Sequence, residues 1–210
     1  MGCLVSQGLD GPNLLPVQLD LRGRSCVIAT ELHAVIPAPP SLRIAVSGSA
    51  GTGKTTLAGA LARRLGLPLL PEAMRRYLEA GGPRLPGLGP ARARAVLAGF
   101  HRELLALGTA SPGFVADNGV LDLCAYAVWA GCGPQAPPPA LRYEVLVLLP
   151  WGAIPYQRDG VRGDSQEAER RFQLLLEQLL PSWSRAARVL RVPPELARPE
   201  ARLDWVLARL

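Results

Sequence analysis

The sequence predicts an α/β fold, a three-layer sandwich around a parallel central sheet of about five strands. Three observations predict it. Apolar β-type runs alternate with helix-type segments along the chain. The clearest run, Tyr143 to Leu149, has one charged residue followed by Val-Leu-Val-Leu-Leu, as expected of a strand buried on both faces. The first run, Leu42-Arg43-Ile44-Ala45-Val46, leads straight into a glycine-rich turn and then a helix, which is how a parallel unit begins.

The elements follow in order. Residues 1–40 have mixed polarity with frequent Pro and Gly and end in Pro37-Ala38-Pro39-Pro40. They read as an N-terminal extension, either a small hairpin or a partly ordered tail, ahead of a main domain over 41–210. A strand over 42–46 and a helix over 54–65 come next, with Gly66 placed to end the helix. Leu67 to Leu70 is a second short strand, and Pro71 suits the first position of another helix that stops near Gly81-Gly82. A Gly/Pro connection over 81–90 precedes a helix over about 91–107. Residues 113–117 form a third strand and 120–130 a helix. The proline-rich stretch 131–140 is a loop, and 143–149 the fourth strand. A polar loop over 150–165 leads to a helix over 165–180, a strand over 188–192 and a final helix over 199–209.

With 49% hydrophobic and 19% charged residues, the chain can build a large core. The net charge of +6 rests on 22 Arg and a single Lys. These arginines are scattered, without the clustered basic stripe of a nucleic-acid face, so no specific nucleic-acid partner is expected. Cys3, Cys26, Cys124 and Cys132 lack CxxC spacing, and neither His33 nor His101 lies near one of them, which argues against a zinc site. No apolar run reaches the ~18 residues that a membrane span needs, and no leader pattern opens the chain. A cytoplasmic protein is the expectation.

The chemistry starts at Gly48-Ser49-Ala50-Gly51-Thr52-Gly53-Lys54-Thr55, which satisfies G-x-x-x-x-G-K-[ST]. Glycines let successive N–H groups turn inward on phosphate oxygens, and the following helix, with Thr56 in its first turn, aims its positive end at the same anion. Lys54 is placed to reach the β- and γ-phosphates and Thr55 to offer its hydroxyl to Mg²⁺. Lys54 is also the only lysine of the chain, as if a compact ammonium were required there. The motif therefore predicts a P-loop nucleotide-binding protein with ATP or GTP and Mg²⁺ as ligands. A guanine-reading Asn-Lys-x-Asp motif is absent, which favours ATP.

Four downstream features extend the site. Asp117 ends the apolar run Gly113-Phe114-Val115-Ala116 and can serve Mg²⁺ as in a Walker B strand, or simply cap the next helix. Glu72 follows the second strand, and strand C-termini face the ligand crevice of a parallel sheet. Its carboxylate can take the proton of an attacking hydroxyl or anchor a sugar hydroxyl, with Arg75 beside it. Alternatively, Glu72 only favours a helix N-terminus. Arg158 and Arg162, in the glycine-hinged loop after the fourth strand, suit a closing lid that brings cations to the phosphates.

The order GxxxxGKT, Pro71-Glu72-x-x-Arg75-x-Tyr77-Leu78, a strand ending in Asp117, Asp122-x-x-x-Tyr126 and a late Asp159-Gly160-x-Arg162 resembles one group of AAA-type P-loop ATPases and kinases. The group includes the ribosylnicotinamide kinase domain of bifunctional NAD-biosynthesis proteins, and the resemblance covers residues 42–180. It implies a nucleoside/nucleotide-kinase-like P-loop fold and transfer of the γ-phosphoryl of ATP to a small, nucleoside-like hydroxyl acceptor in NAD metabolism. By the same resemblance Glu72, Arg75, Asp122 and Tyr126 line the acceptor site, while Arg158 and Arg162 act from the lid. Members of the group often carry Asp-Arg-Ser or Asp-Arg-Gly where this chain has Asp117-Asn118-Gly119. That departure keeps a second expectation open, an ATPase or nucleotide-sensing module without an acceptor.

Overall fold

The computed structural model describes residue 39 and residues 41–133, 142–156, 165–183 and 187–210. The five strands among these residues are β1 (Arg43–Ser47), β2 (Leu69–Leu70), β3 (Phe114–Asp117), β4 (Val145–Leu148) and β5 (Arg188–Arg191). They pair in the order β2-β3-β1-β4-β5, every pair parallel. The seven helices among the described residues are α1 (Lys54–Leu65), α2 (Ala73–Glu79), α3 (Leu85–Leu88), α4 (Pro90–Ala110), α5 (Val120–Trp129), α6 (Gln166–Leu179) and α7 (Pro199–Leu207). The three-layer α/β fold is as the sequence predicts.

Alternation along the strands builds the two outer layers. Ile44 and Val46 point to one face, with Val115, Val145 and Val147, and are covered by Leu57 and Leu61 of α1 and Val206 of α7. Ala45, Phe114, Ala116, Leu146 and Leu148 point to the other, beneath Leu97 and Phe100 of α4, Leu121 of α5 and Phe172 and Leu176 of α6. Both faces of β1 are thus sealed from water, so its backbone is fixed and can launch a loop of defined shape. In register, Val46 sits between Asp117 of β3 and Val147 of β4. The C-terminal ends of the three central strands therefore open on one edge.

Details differ from the sequence reading. Pro71 is not the first helical residue; α2 starts at Ala73 with Glu72 as its extended cap residue, because Pro71 and Glu72 carry the chain from β2 into the crevice. The 81–90 connection contains the short helix α3, and Pro90 occupies the first turn of a longer α4. β2 is only two residues long. The predicted extension over 1–40, residue 39 apart, most of the 131–140 loop and the 157–164 part of the lid lie outside the described residues. Among the described residues no helix is long and apolar enough to cross a membrane.

Leu61, fully buried beneath the sheet, gives a test of this packing. Leu61→Ala is expected to lower unfolding free energy by about 2–5 kcal/mol in urea titration. Leu174→Ala, at a site 52% exposed on α6, should stay within about 0.5 kcal/mol of the parent.

Candidate functional site: a phosphate loop beside an apolar cavity

The loop after β1 bends through left-handed backbone at Gly51 (φ +75°) and Gly53 (φ +90°), conformations that cost an L side chain energy. Its N–H groups divide into two sets. Those of Ser49 and Ala50 are held from outside by α6, donating to Oε1 of Gln173 at 2.9 Å and Oε2 of Glu169 at 2.8 Å. Those of Gly51, Thr52 and Gly53 have no acceptor among the described residues. The Lys54 ammonium, 5% exposed, donates to the Ser49 carbonyl at 2.9 Å, and the Thr52 hydroxyl to the same oxygen at 2.8 Å. α1 begins at Lys54 with no acidic residue in its first turn, so nothing there offsets its positive end. Inward N–H groups, a lysine and a bare helix N-terminus together make an anion cradle.

A cavity of about 330 Å³ lies over this cradle, lined by Ala50, Gly51, Gly53, Lys54, Thr55 and Thr56, with Arg75 of α2 and Ile154, Pro155 and Tyr156. The Tyr156 ring stands where a Cβ on Gly51 would come within 3.2 Å. The start of the predicted lid segment is therefore at the loop. Arg158 and Arg162 fall outside the described residues.

A second cavity, about 280 Å³, adjoins the first across Ala50. Met74, Leu78, Leu85, Tyr126, Trp129 and Phe172 make it apolar and aromatic, and Arg84 and Glu169 are its charged edges. The Tyr126 and Phe172 rings lie 4.7 Å apart at 30°, and Trp129 meets Phe172 edge-on at 6.0 Å. α2 serves both chambers, with Met74 in one and Arg75 in the other.

At the start of α2 two predicted residues meet, Glu72 and Tyr126; Tyr126 lines the second cavity, while Glu72 and Asp117 line neither. Asp117 is buried beside β1, and Asn118 follows it in left-handed conformation, φ +66°, a conformation asparagine tolerates better than most residues. The turn sends the Asn118 amide to Glu72, its Nδ2 donating to Oε1 at 2.6 Å, while the Tyr126 hydroxyl approaches the same oxygen at 3.4 Å. Gly119 must lack a side chain here, since a Cβ would come within 2.8 Å of the Ala45 Cβ.

Asp122 is fully buried and, like Glu72 and Asp117, lines neither cavity. Its Oδ2 accepts from the Ser47 hydroxyl at 2.6 Å and the Gly119 N–H at 2.9 Å, tying β1 to the first turn of α5. Lys54 and Glu72 lie near enough to act on its charge. Burial is the main cause that pushes its carboxyl up from 3.8 to about 6, against the pull of Lys54 and its hydrogen bonds.

Three residues that the sequence reading passed over complete the site. Glu169 and Gln173 fix one side of the loop. From the other side Arg202 of α7 donates from Nη1 to the Thr52 carbonyl at 2.6 Å. Each depends on a contact over more than 100 residues of chain. The only local signal was the placement of Glu169 and Gln173 four apart on one helix face.

A phosphate loop launched from the middle of a 2-3-1-4-5 parallel sheet, with a carboxylate and an apolar chamber beside it, defines a P-loop protein of the kinase-like fold. The chain belongs to the AAA domain family, whose model matches residues 43–196. Among solved structures it is similar to deoxyadenosine kinase from M. mycoides, with 12% identity, TM-score 0.59, and coverage of 80% of this chain and 98% of that one. It is similar also to the NadR protein in complex with NR, with 20% identity, TM-score 0.58, and coverage of 80% of this chain and 50% of that one. Shikimate kinase from Acinetobacter baumannii, in complex with shikimate, matches at 19% identity, TM-score 0.50, and coverage of 81% and 96%. Compared with curated protein sequences, the chain finds no match.

The raised Asp122 carboxyl sets a pH dependence. Below about pH 4 the group is protonated in folded and unfolded chains alike. From about pH 4 to about pH 6 the unfolded chain ionises while the folded one keeps its proton, so stability is lost as pH rises through that window. Asp122→Asn keeps an acceptor for Ser47 and Gly119 and removes the titration. Its urea midpoint relative to the parent should therefore climb between pH 4 and 6 and then level off.

Proposed function

We propose that this chain is an ATP- and Mg²⁺-dependent kinase that transfers the γ-phosphoryl group to a hydroxyl of a small, nucleoside-like acceptor. One observation carries the reading: an aromatic chamber adjoins the phosphate cradle across Ala50, and α2 lines both. A hydrolase needs only water at the γ-phosphate. A kinase needs a second chamber for the molecule that bears the hydroxyl, and flat rings such as Tyr126 and Phe172 suit a planar heterocycle. The solved neighbours named for nucleoside and NR binding lend support by likeness of fold, and a ribosylnicotinamide-like acceptor in NAD metabolism is the first to test.

In this reading the N–H groups of Gly51 to Gly53 and the first turn of α1, with Thr56, hold the β- and γ-phosphates. Lys54 exchanges its contact with the Ser49 carbonyl for phosphate oxygens and follows the charge as it shifts. The hydroxyl of Thr55 and, through water, the carboxylate of Asp117 would hold Mg²⁺, which neutralises charge on the triphosphate. Glu72 accepts the proton as the acceptor oxygen bonds to the γ-phosphorus and the bridging oxygen leaves with ADP. Asn118 and Tyr126 hold its carboxylate in place. Arg75 faces the phosphates from α2, and Arg158 and Arg162 act from the lid.

Asn118 also favours a second reading. It puts a neutral amide where similar proteins often carry arginine, as suits an ATPase or nucleotide sensor that lacks an acceptor. The two are separated by ATP consumption with Mg²⁺, measured with and without a panel of nucleosides that includes ribosylnicotinamide. The kinase reading expects one acceptor to raise the rate strongly; slow turnover that ignores every acceptor would support the sensor. Lys54→Ala should abolish turnover. Glu72→Gln should lower acceptor-dependent kcat by about 10²–10⁴-fold while leaving ATP affinity nearly intact.

A further inference from the structure

Arg202 is a buried cation without a visible counter-charge. It is 3% exposed, on α7, and among the described residues it has no carboxylate partner. Its Nε donates to the Leu196 carbonyl at 2.5 Å and its Nη1 to the Thr52 carbonyl at 2.6 Å, while Nη2 is buried with no acceptor among the described residues. Burial lowers its pKa, yet a guanidinium stays charged in proteins. A charge withdrawn from water is costly unless an opposite charge answers it.

The place of this charge suggests what answers it. The carbonyl of Thr52 and the N–H of Gly53 belong to one peptide unit, and Gly53 lines the phosphate cavity. A cation on the carbonyl end polarises that unit and makes its N–H a stronger donor, as linked hydrogen bonds strengthen one another. Gly53 is also what admits the arginine, because a Cβ there would come within 3.1 Å of Nη1. The motif glycine thus serves two needs, its left-handed backbone and the approach of a guanidinium from behind.

We propose that Arg202 is a positioning residue of the phosphate site. It backs the loop with a full positive charge, acts on the ligand through the Thr52–Gly53 peptide, and finds its counter-charge in the bound polyphosphate. The inference rests on residues 48–55 being a phosphate site. It adds a specific determinant of affinity that the motif does not contain.

The test uses inorganic tripolyphosphate as the probe, with binding measured by calorimetry on the full chain and folding checked by circular dichroism and thermal melting. Arg202→Gln removes the charge and leaves an amide donor only at the level of Nε, by the Leu196 carbonyl; Arg202→Lys retains the charge. The expected result is a loss of affinity of about 10- to 100-fold in Arg202→Gln, the scale of a hydrogen bond to a charged group. Arg202→Lys should recover a good part of it. A merely structural role would lower the melting temperature of both variants without that recovery. A folded Arg202→Gln protein that binds as the parent does would overturn the inference alone. Should Arg202→Gln not fold, Arg202→Lys decides: affinity within threefold of the parent supports the backing charge, and loss as deep as that of Lys54→Ala overturns it. Failure of the parent itself to bind tripolyphosphate would instead remove the phosphate-site reading beneath it.

Discussion

A backbone that turns its N–H groups inward around an anion cannot hold that shape by local forces. Left-handed glycines make the turn possible, but the same freedom leaves the unfolded segment many alternatives. The loop after β1 is held by what surrounds it. Gln173 and Glu169 take the N–H groups of Ser49 and Ala50, Arg202 takes the carbonyl of Thr52, and Lys54 and Thr52 close on the carbonyl of Ser49. The N–H groups of Gly51 to Gly53 have no acceptor among the described residues. The sheet order follows the same constraint. With β1 between β3 and β4, the loop leaves the sheet at its most rigid point, flanked by Asp117.

Local chemistry was legible in the sequence and long-range contacts were not. The P-loop could be read because its residue types are set by the loop itself: left-handed glycines and a lysine that reaches back to the Ser49 carbonyl. The three central strands could be read because their residues are buried on both faces. Glu72, expected at the crevice from its position after a strand, is buried against Asn118 and is the cap residue of α2, so that Pro71 lies outside the helix. Glu169, Gln173 and Arg202 left no such trace, since each meets the loop only after the strands between them have paired. Asp122 and Tyr126 stand four apart on α5; in the fold Tyr126 lines the aromatic chamber and Asp122 bonds the Ser47 hydroxyl and the Gly119 N–H.

The contact of Asn118 with Glu72 shapes the chemistry in both functional readings. An arginine beside that carboxylate would bring a formal charge and a fixed fork of donors. An amide brings one short bond and no charge, and the left-handed turn at residue 118 aims it. The Tyr126 hydroxyl, also uncharged, approaches the same oxygen.

The braces on the loop span 124 residues from Ser49 to Gln173, 119 from Ala50 to Glu169 and 150 from Thr52 to Arg202. Contacts so distant along the chain form late and slowly, because the intervening loops must close first. The anion cradle is thus among the last parts of the molecule to acquire its shape. A nucleotide that occupies it stabilises only the fully assembled state, and so would slow the local openings by which α7 or α6 peels away. Residence of ligand on a dozen residues near β1 would then set how long the opposite ends of the fold stay closed to proteases and hydrogen exchange.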